Sequence, residues 1–501
     1  MKPSIKYVLI LSLTFFFLCP RGYAQGKNAV FPRIEPDPKA LEFFNLSNRN
    51  QDYSWTELAV ISLWASGNTS SSNFEKIRSA VEALNKSKEL PASDREKAEF
   101  ILTFMHKNLL KSYSLHQTRI DTLLSNGKFN CVSSAVMYMI LCKSTGLNTS
   151  GVMTKDHAFI TVHVGNTDID IETTNQYGFD PGNRKEFHDS NGNVTGFAYV
   201  PPQNYRDRQK INQIELISLI MSNNIAELER SNKYSEAVPV AVDRAALLTG
   251  STLAANGNTQ TYPDGALFED PRKGLLDRLI NYGSTLLKAG KEDDALRWAA
   301  AASPSCPDKD RWQEFSMAAA NNRIIKYNKA GQTTEAIVFL ENQKALLSEE
   351  DYKQLDALLI DGELLFMAQK ISTAEEGFAV VDFIDQAHSG GRIAEKRADE
   401  LLIFAVQKTA ALLSAAPAHN WRAAVNFMER SIERFGSKRE FEQALQVYRN
   451  NLATEYHNNF ASAWNNKNLD EAERILNEGL AEFPNDRQLL KDKDTVNKNR
   501  R

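Results

Sequence analysis

Cys131 stands in Phe129-Asn130-Cys131-Val132-Ser133-Ser134-Ala135-Val136, directly behind an asparagine and at the head of an apolar-periodic run. Asparagine is a strong helix cap, so this spacing predicts that Cys131 opens a helix. The unpaired N–H groups and the helix dipole favour a thiolate there. A thiolate that attacks a carbonyl needs a base within hydrogen-bond reach. The candidate is His157, in Lys155-Asp156-His157-Ala158-Phe159-Ile160-Thr161-Val162. Two acids follow, Asp170 and Glu172, in Asp168-Ile169-Asp170-Ile171-Glu172-Thr173-Thr174.

Gly165-Asn166 between those runs is a hairpin signal. A tight turn there sets Val164 opposite Thr167 and Phe159 opposite Glu172. Sides alternate with period two, so His157, Asp170 and Glu172 fall on one face. Glu172 is one diagonal step from His157, about 7–8 Å between backbones, and is the expected orienting carboxylate. Asp170 is shorter and a step further, and stands as the alternative acid. His163 shares the face, but no metal-ligand spacing accompanies it and no metal is expected. Cys142, inside an apolar helix face, reads as a packing residue.

The surrounding elements must hold these groups together. The Cys131 helix ends near Gly146. Three short alternating runs follow, at 150–154, 157–164 and 168–174, and then a stretch dense in Gly, Asn and Pro from 178 to 202. The pattern is a helix packed on an antiparallel sheet, an α+β arrangement. Upstream, Ser54-Trp55-Thr56-Glu57 and Ser93-Asp94-Arg95-Glu96 are helix starts. Residues 25–52, punctuated by Pro32, Pro36 and Pro38, read as an extended lead-in.

Asn-Cys at a helix start, His-Ala-Phe on a strand and Glu-Thr-Thr-Asn on the next, in that order, resemble the transglutaminase-like superfamily. The resemblance spans about residues 95–200 and is strongest over 129–182. It implies a papain-type fold with a Cys-His-acid triad. Under it Cys131 attacks, His157 carries the proton and Glu172 fixes the imidazole. The Cys131 backbone N–H would be an oxyanion donor, with Asn130, Tyr113 and Gln117 as candidates for a second. In this sequence Glu172 stands where the family has Asp, and Thr173 where it has Pro. No cofactor is implied.

From about residue 211 onward the chain reads as helix upon helix. Gly283, Leu286, Gly290, Ala295, Ala299, Ala302 and Pro307 have the spacing of a tetratricopeptide repeat. Tyr327, Gly331 and Ala336 repeat its centre, as do Leu469, Ala472, Gly479 and Pro484. Looser copies centre on Ala237, Ala374 and Ala424. This resembles an irregular tetratricopeptide superhelix, a surface for a protein or peptide partner.

The 501 residues carry a net charge of −4, with 42% hydrophobic and 24% charged, and give no basic footprint for nucleic acid. A mean hydropathy of −0.42 excludes a polytopic membrane protein. Four cysteines do not make a disulfide scaffold. Residues 1–24 have the charged start, apolar run and small-residue cut of a secretory signal peptide. Their removal leaves Cys131, Cys142 and Cys306, an odd number, in a chain expected to be exported, periplasmic or secreted, with no transmembrane segment. A bridge from Cys306 to either of the others stays open. The expected organisation is a signal peptide (1–24), a lead-in with helices (25–90), a transglutaminase-like domain (91–205) and tetratricopeptide-like repeats (206–501). Two functions follow from it. One is an exported thiol hydrolase or acyltransferase acting on amide or peptide carbonyls. The alternative is a non-catalytic scaffold whose papain-like domain is inactive.

Overall fold

The computed structural model describes residues 30–47, 52–182, 187, 207–250, 268–344, 347–415, 417 and 419–499. The expected signal peptide lies outside them, as do most of residues 183–206. The chain is mostly helical with a small antiparallel sheet, and its C-terminal region is all-α. Contacts divide it into two compact units, residues 1–312 and 313–501.

In the first unit the organising element is the helix Cys131–Ser144. Every residue from Cys131 to Cys142 is buried, so it is enclosed on all sides rather than amphipathic. The helices Trp55–Ala65, Ser71–Asn85, Asp94–Asn108 and Gln213–Arg230 pack around it. So do two strands of the sheet, β3 (Asn148–Met153) and β4 (Ala158–Val164). Fully burying each large apolar side chain on such a helix stabilises the fold by about 1.5–3 kcal/mol.

The sheet also contains β5 (Thr167–Ile171) and β6 (Gln209–Ile211), in the order β5-β4-β3-β6, antiparallel throughout. Val164 pairs with Thr167, as the Gly165-Asn166 turn requires. Ala158, Ile160 and Val162 are buried. The alternate residues, from Phe159 to His163, share the other face. The short parallel pair β1 (Ser112–Tyr113) and β2 (Lys128–Phe129) fixes the chain just before Cys131.

Two elements differ from the sequence reading. Pro38–Ser47 is a helix rather than extended lead-in, with Pro38 in its first turn, where a missing N–H costs nothing. The sheet gains β6, whose three residues are too few to show a period. The helices that follow it, Gln213–Arg230 and Tyr234–Thr249, contribute Leu216, Ile217, Ile220 and Leu247 to the same core as the Cys131 helix.

The second unit starts within the helix Lys309–Ala330, which precedes Thr333–Gln343, and continues as Glu349–Lys370 with Ala374–Ser389, Glu395–Leu413 with Trp421–Phe435, and Arg439–Asn465 with Leu469–Glu482, then Arg487–Asn499. Ala336, Ala424 and Ala472 are fully buried where helices approach closely. In the second pair Gly377 rather than Ala374 takes this place: a Cβ on it would lie 2.0 Å from Thr409 Oγ1. No helix among the described residues is long and apolar enough to cross a membrane. A fragment of residues 309–501 is expected to be soluble and strongly helical by circular dichroism, because its core is internal to it. A fragment starting at 206 exposes Leu216, Ile217 and Ile220 and should aggregate.

Candidate active site

Asn130 caps the Cys131–Ser144 helix reciprocally. Its Oδ1 accepts the Ser133 N–H at 3.0 Å and its own N–H donates to Ser133 Oγ at 2.9 Å. Its Nδ2 donates to the Leu115 carbonyl at 3.1 Å. The cap serves the third N–H of the helix, and helix geometry leaves those of Cys131 and Val132 without an intrahelical acceptor. Cys131 sits at this positive end and is buried, with 8% of the residue exposed.

His157 stands one residue before β4. Its carbonyl accepts the Thr154 N–H at 2.8 Å and the Thr154 hydroxyl at 3.3 Å, which closes the turn that carries it. Ring Nε2 lies 2.5 Å from Glu172 Oε2. Cys131 lines the same cleft as this ring and is among the groups that favour its charged form. The imidazole side chain is 21% exposed and the Glu172 side chain 5%.

Glu172 stands one residue beyond β5, at the start of a closed turn. Its Oε1 accepts the Thr174 N–H at 3.0 Å and the Thr174 hydroxyl at 2.6 Å. Its own N–H donates to the Gly178 carbonyl at 2.8 Å. A Cβ on Gly178 would lie 2.0 Å from the Glu172 carbonyl oxygen, so only glycine fits there. Thr173, Thr174 and Asn175 are buried. His106, from the helix Asp94–Asn108, reaches the Thr173 carbonyl at 3.0 Å. A carbonyl can only accept, so His106 Nε2–H donates, and burial holds the His106 pKa below its ordinary value against that bond and the Glu172 charge. These supports lie far apart in sequence, and only the Glu-Thr-Thr run hinted at them.

Burial alone would lower the His157 pKa. The Glu172 charge, the neighbouring Cys131 and the hydrogen bond to Glu172 outweigh it and hold the imidazole well above its ordinary value. Burial would raise Glu172, but His157 and Thr174 keep it below the usual carboxylate value. The raised histidine stabilises the fold fully below pH about 6.5, and this is lost as pH rises through its folded value. The depressed glutamate stabilises above pH about 4.3, and this is lost as pH falls through its folded value. The pair is therefore most stabilising between about pH 4.5 and 6.5. Glu172→Gln is expected to lose about 1–3 kcal/mol in that window, and less at pH 9, in urea unfolding followed by circular dichroism.

The other expected site residues have other partners. Asp170 is bound by both terminal nitrogens of Arg208, at 2.6 and 2.7 Å, and accepts the Thr161 hydroxyl at 2.7 Å. It does not face His157. His163 bonds Asp168 at 2.6 Å and Ser150 Oγ at 3.1 Å, but the Asp168 side chain is 68% exposed and a solvated pair of this kind is weak. Among the described residues no cluster could hold a metal ion. Cys131, Cys142 and Cys306 are unbridged. Burial pushes the Cys142 thiol up, and the Cys306 thiol up to about 11. Of the candidate second oxyanion donors, Gln117 Nε2 gives its two N–H groups to the Arg119 carbonyl at 2.7 Å and the Lys128 carbonyl at 3.4 Å, whereas Asn130 Nδ2 gives one of its two to Leu115. Tyr113 keeps its phenol proton, because burial and the nearby Cys131 and Glu172 charges raise its pKa.

Cys131 and His157 line one cleft of about 310 Å³. Leu115 and His116 form one wall, Met153 to Asp156 another, and Leu219, Ser222 and Asn223 a third. Neither a family model nor a curated protein matches this chain.

Proposed function

We propose that the protein is an exported thiol hydrolase or acyltransferase of the transglutaminase-like, papain-type class, acting on amide or peptide carbonyls. The observation that carries this reading is the His157 ring, bonded through Nε2 to the buried Glu172 and lining one cleft with Cys131 at its helix start. The sulfur adds to a carbonyl carbon, and the charge that develops on oxygen meets the Cys131 N–H at the helix start. The C–N bond then breaks as His157 gives its proton to the leaving amine. The acyl group passes from sulfur to water or to an incoming amine, and the thiol is regenerated. The tetratricopeptide-like helix pairs would hold a protein partner that brings the scissile carbonyl.

The test is to incubate the full chain with a mixture of glutamine- and asparagine-containing peptides, with and without a primary amine. Mass spectrometry should show cleaved or deamidated products, or new amides, that require Cys131. The same product distribution from Cys131→Ala favours the scaffold reading.

A further inference from the structure

We propose that Thr173 and Ser134 are positioning residues for this triad, joined in a buried hydroxyl chain that sets the distance between the acid's turn and the nucleophile's helix. The inference rests on the thiol–imidazole–carboxylate reading above. Thr173 Oγ1 lies 2.8 Å from Ser134 Oγ, and Ser134 Oγ lies 2.9 Å from the Asn130 carbonyl oxygen. A carbonyl can only accept, so Ser134 donates to Asn130 and Thr173 donates to Ser134. The proton order is thus fixed along the chain. It begins one residue after Glu172 and ends on the residue before Cys131.

Both side chains are fully buried, so water does not compete for either hydroxyl. The Thr173 carbonyl is held separately by His106. Thr173 is therefore tied to one helix through its main chain and to the Cys131 helix through its side chain. Glu172 reaches the imidazole at 2.5 Å between these ties. Proline at position 173 could not make the side-chain link. The Thr that departs from the family pattern is the residue that provides it.

The experiment measures the rate at which iodoacetamide alkylates Cys131 in the full chain, and the fraction of the pH 8.5 rate kept at pH 6. Thr173→Val removes the hydroxyl with little change of shape. It is expected to lower that fraction about tenfold, as small misplacements of catalytic groups do. Ser134→Ala should lower it equally, the double variant no further, and Thr173→Ser should restore it. A wild-type fraction in Thr173→Val or Ser134→Ala overturns the proposal, as does failure of Thr173→Ser to rescue. Should Thr173→Val lose its circular dichroism signal, Ser134→Ala decides alone. His157→Ala separates the two levels. If it lowers the fraction while Thr173→Val and Ser134→Ala do not, the hydroxyl chain is wrong and the triad stands. If it too has no effect, both fall.

Discussion

Cys131→Ala and His157→Ala are each expected to abolish turnover, by about 10⁴-fold or more on any amide found to react. Their double variant should be no worse than either, because groups that act in one step are not additive. Glu172→Gln should fall less far. It keeps the shape of the acid and one contact to Nε2 but loses the charge that favours the imidazolium. Asp170→Asn should be close to silent in activity, since its carboxylate faces Arg208 and Thr161. Alkylation provides the same test without a substrate. At pH 6 an unassisted thiol, with its ordinary value of about 8.5, is almost wholly protonated, and labelling in His157→Ala should fall about a hundredfold. Labelling that is indifferent to His157 would end the catalytic reading.

Gly178→Ala should have the next largest effect, although the residue makes no side-chain contact. Its Cβ would sit 2.0 Å from the Glu172 carbonyl oxygen, 2.8 Å from the Glu172 carbonyl carbon and 2.9 Å from the Asn175 carbonyl oxygen. All three are main-chain atoms, and none can rotate away. The turn must open, and the Glu172 N–H then loses the Gly178 carbonyl. The carboxylate moves with its backbone. A displacement of about 1 Å at a reacting group can cost about 100-fold. The expected result is activity below that of Glu172→Gln and a melting temperature lower by several degrees. A variant with wild-type activity would show that the turn does not position the acid.

Much of the site could be read from local rules. The Asn130 cap follows from residue type, and the β4–β5 register from Gly165-Asn166 and period two. Those rules place His157 and Glu172 on one face and rank Glu172 ahead of Asp170. They miss how Glu172 is held, because it lies just past the strand and its geometry comes from Thr174, Gly178 and His106. The Thr173–Ser134 contact joins elements with no common period. The Pro38–Ser47 helix was hidden for a different reason: prolines that usually mark extended chain here only precede or open a helix. In the repeats, small residues predicted close helix approach at Ala336, Ala424 and Ala472. The shift from Ala374 to Gly377 shows that an irregular unit can move its contact by one turn.

His157 and Glu172 sit on adjoining ends of one hairpin, whereas Cys131 sits on a helix enclosed by elements from much of the first unit. Their order of assembly follows from this. A hairpin closes on a microsecond scale from its own residues, but the helix is enclosed only when distant segments dock. His157 and Glu172 can therefore meet early, while Cys131 joins them only when the unit is complete. On the proposed catalytic reading, reactivity is then acquired as the last consequence of folding. On that reading partial unfolding is self-silencing, because loss of helix docking separates Cys131 from His157 while the hairpin needs only its own residues.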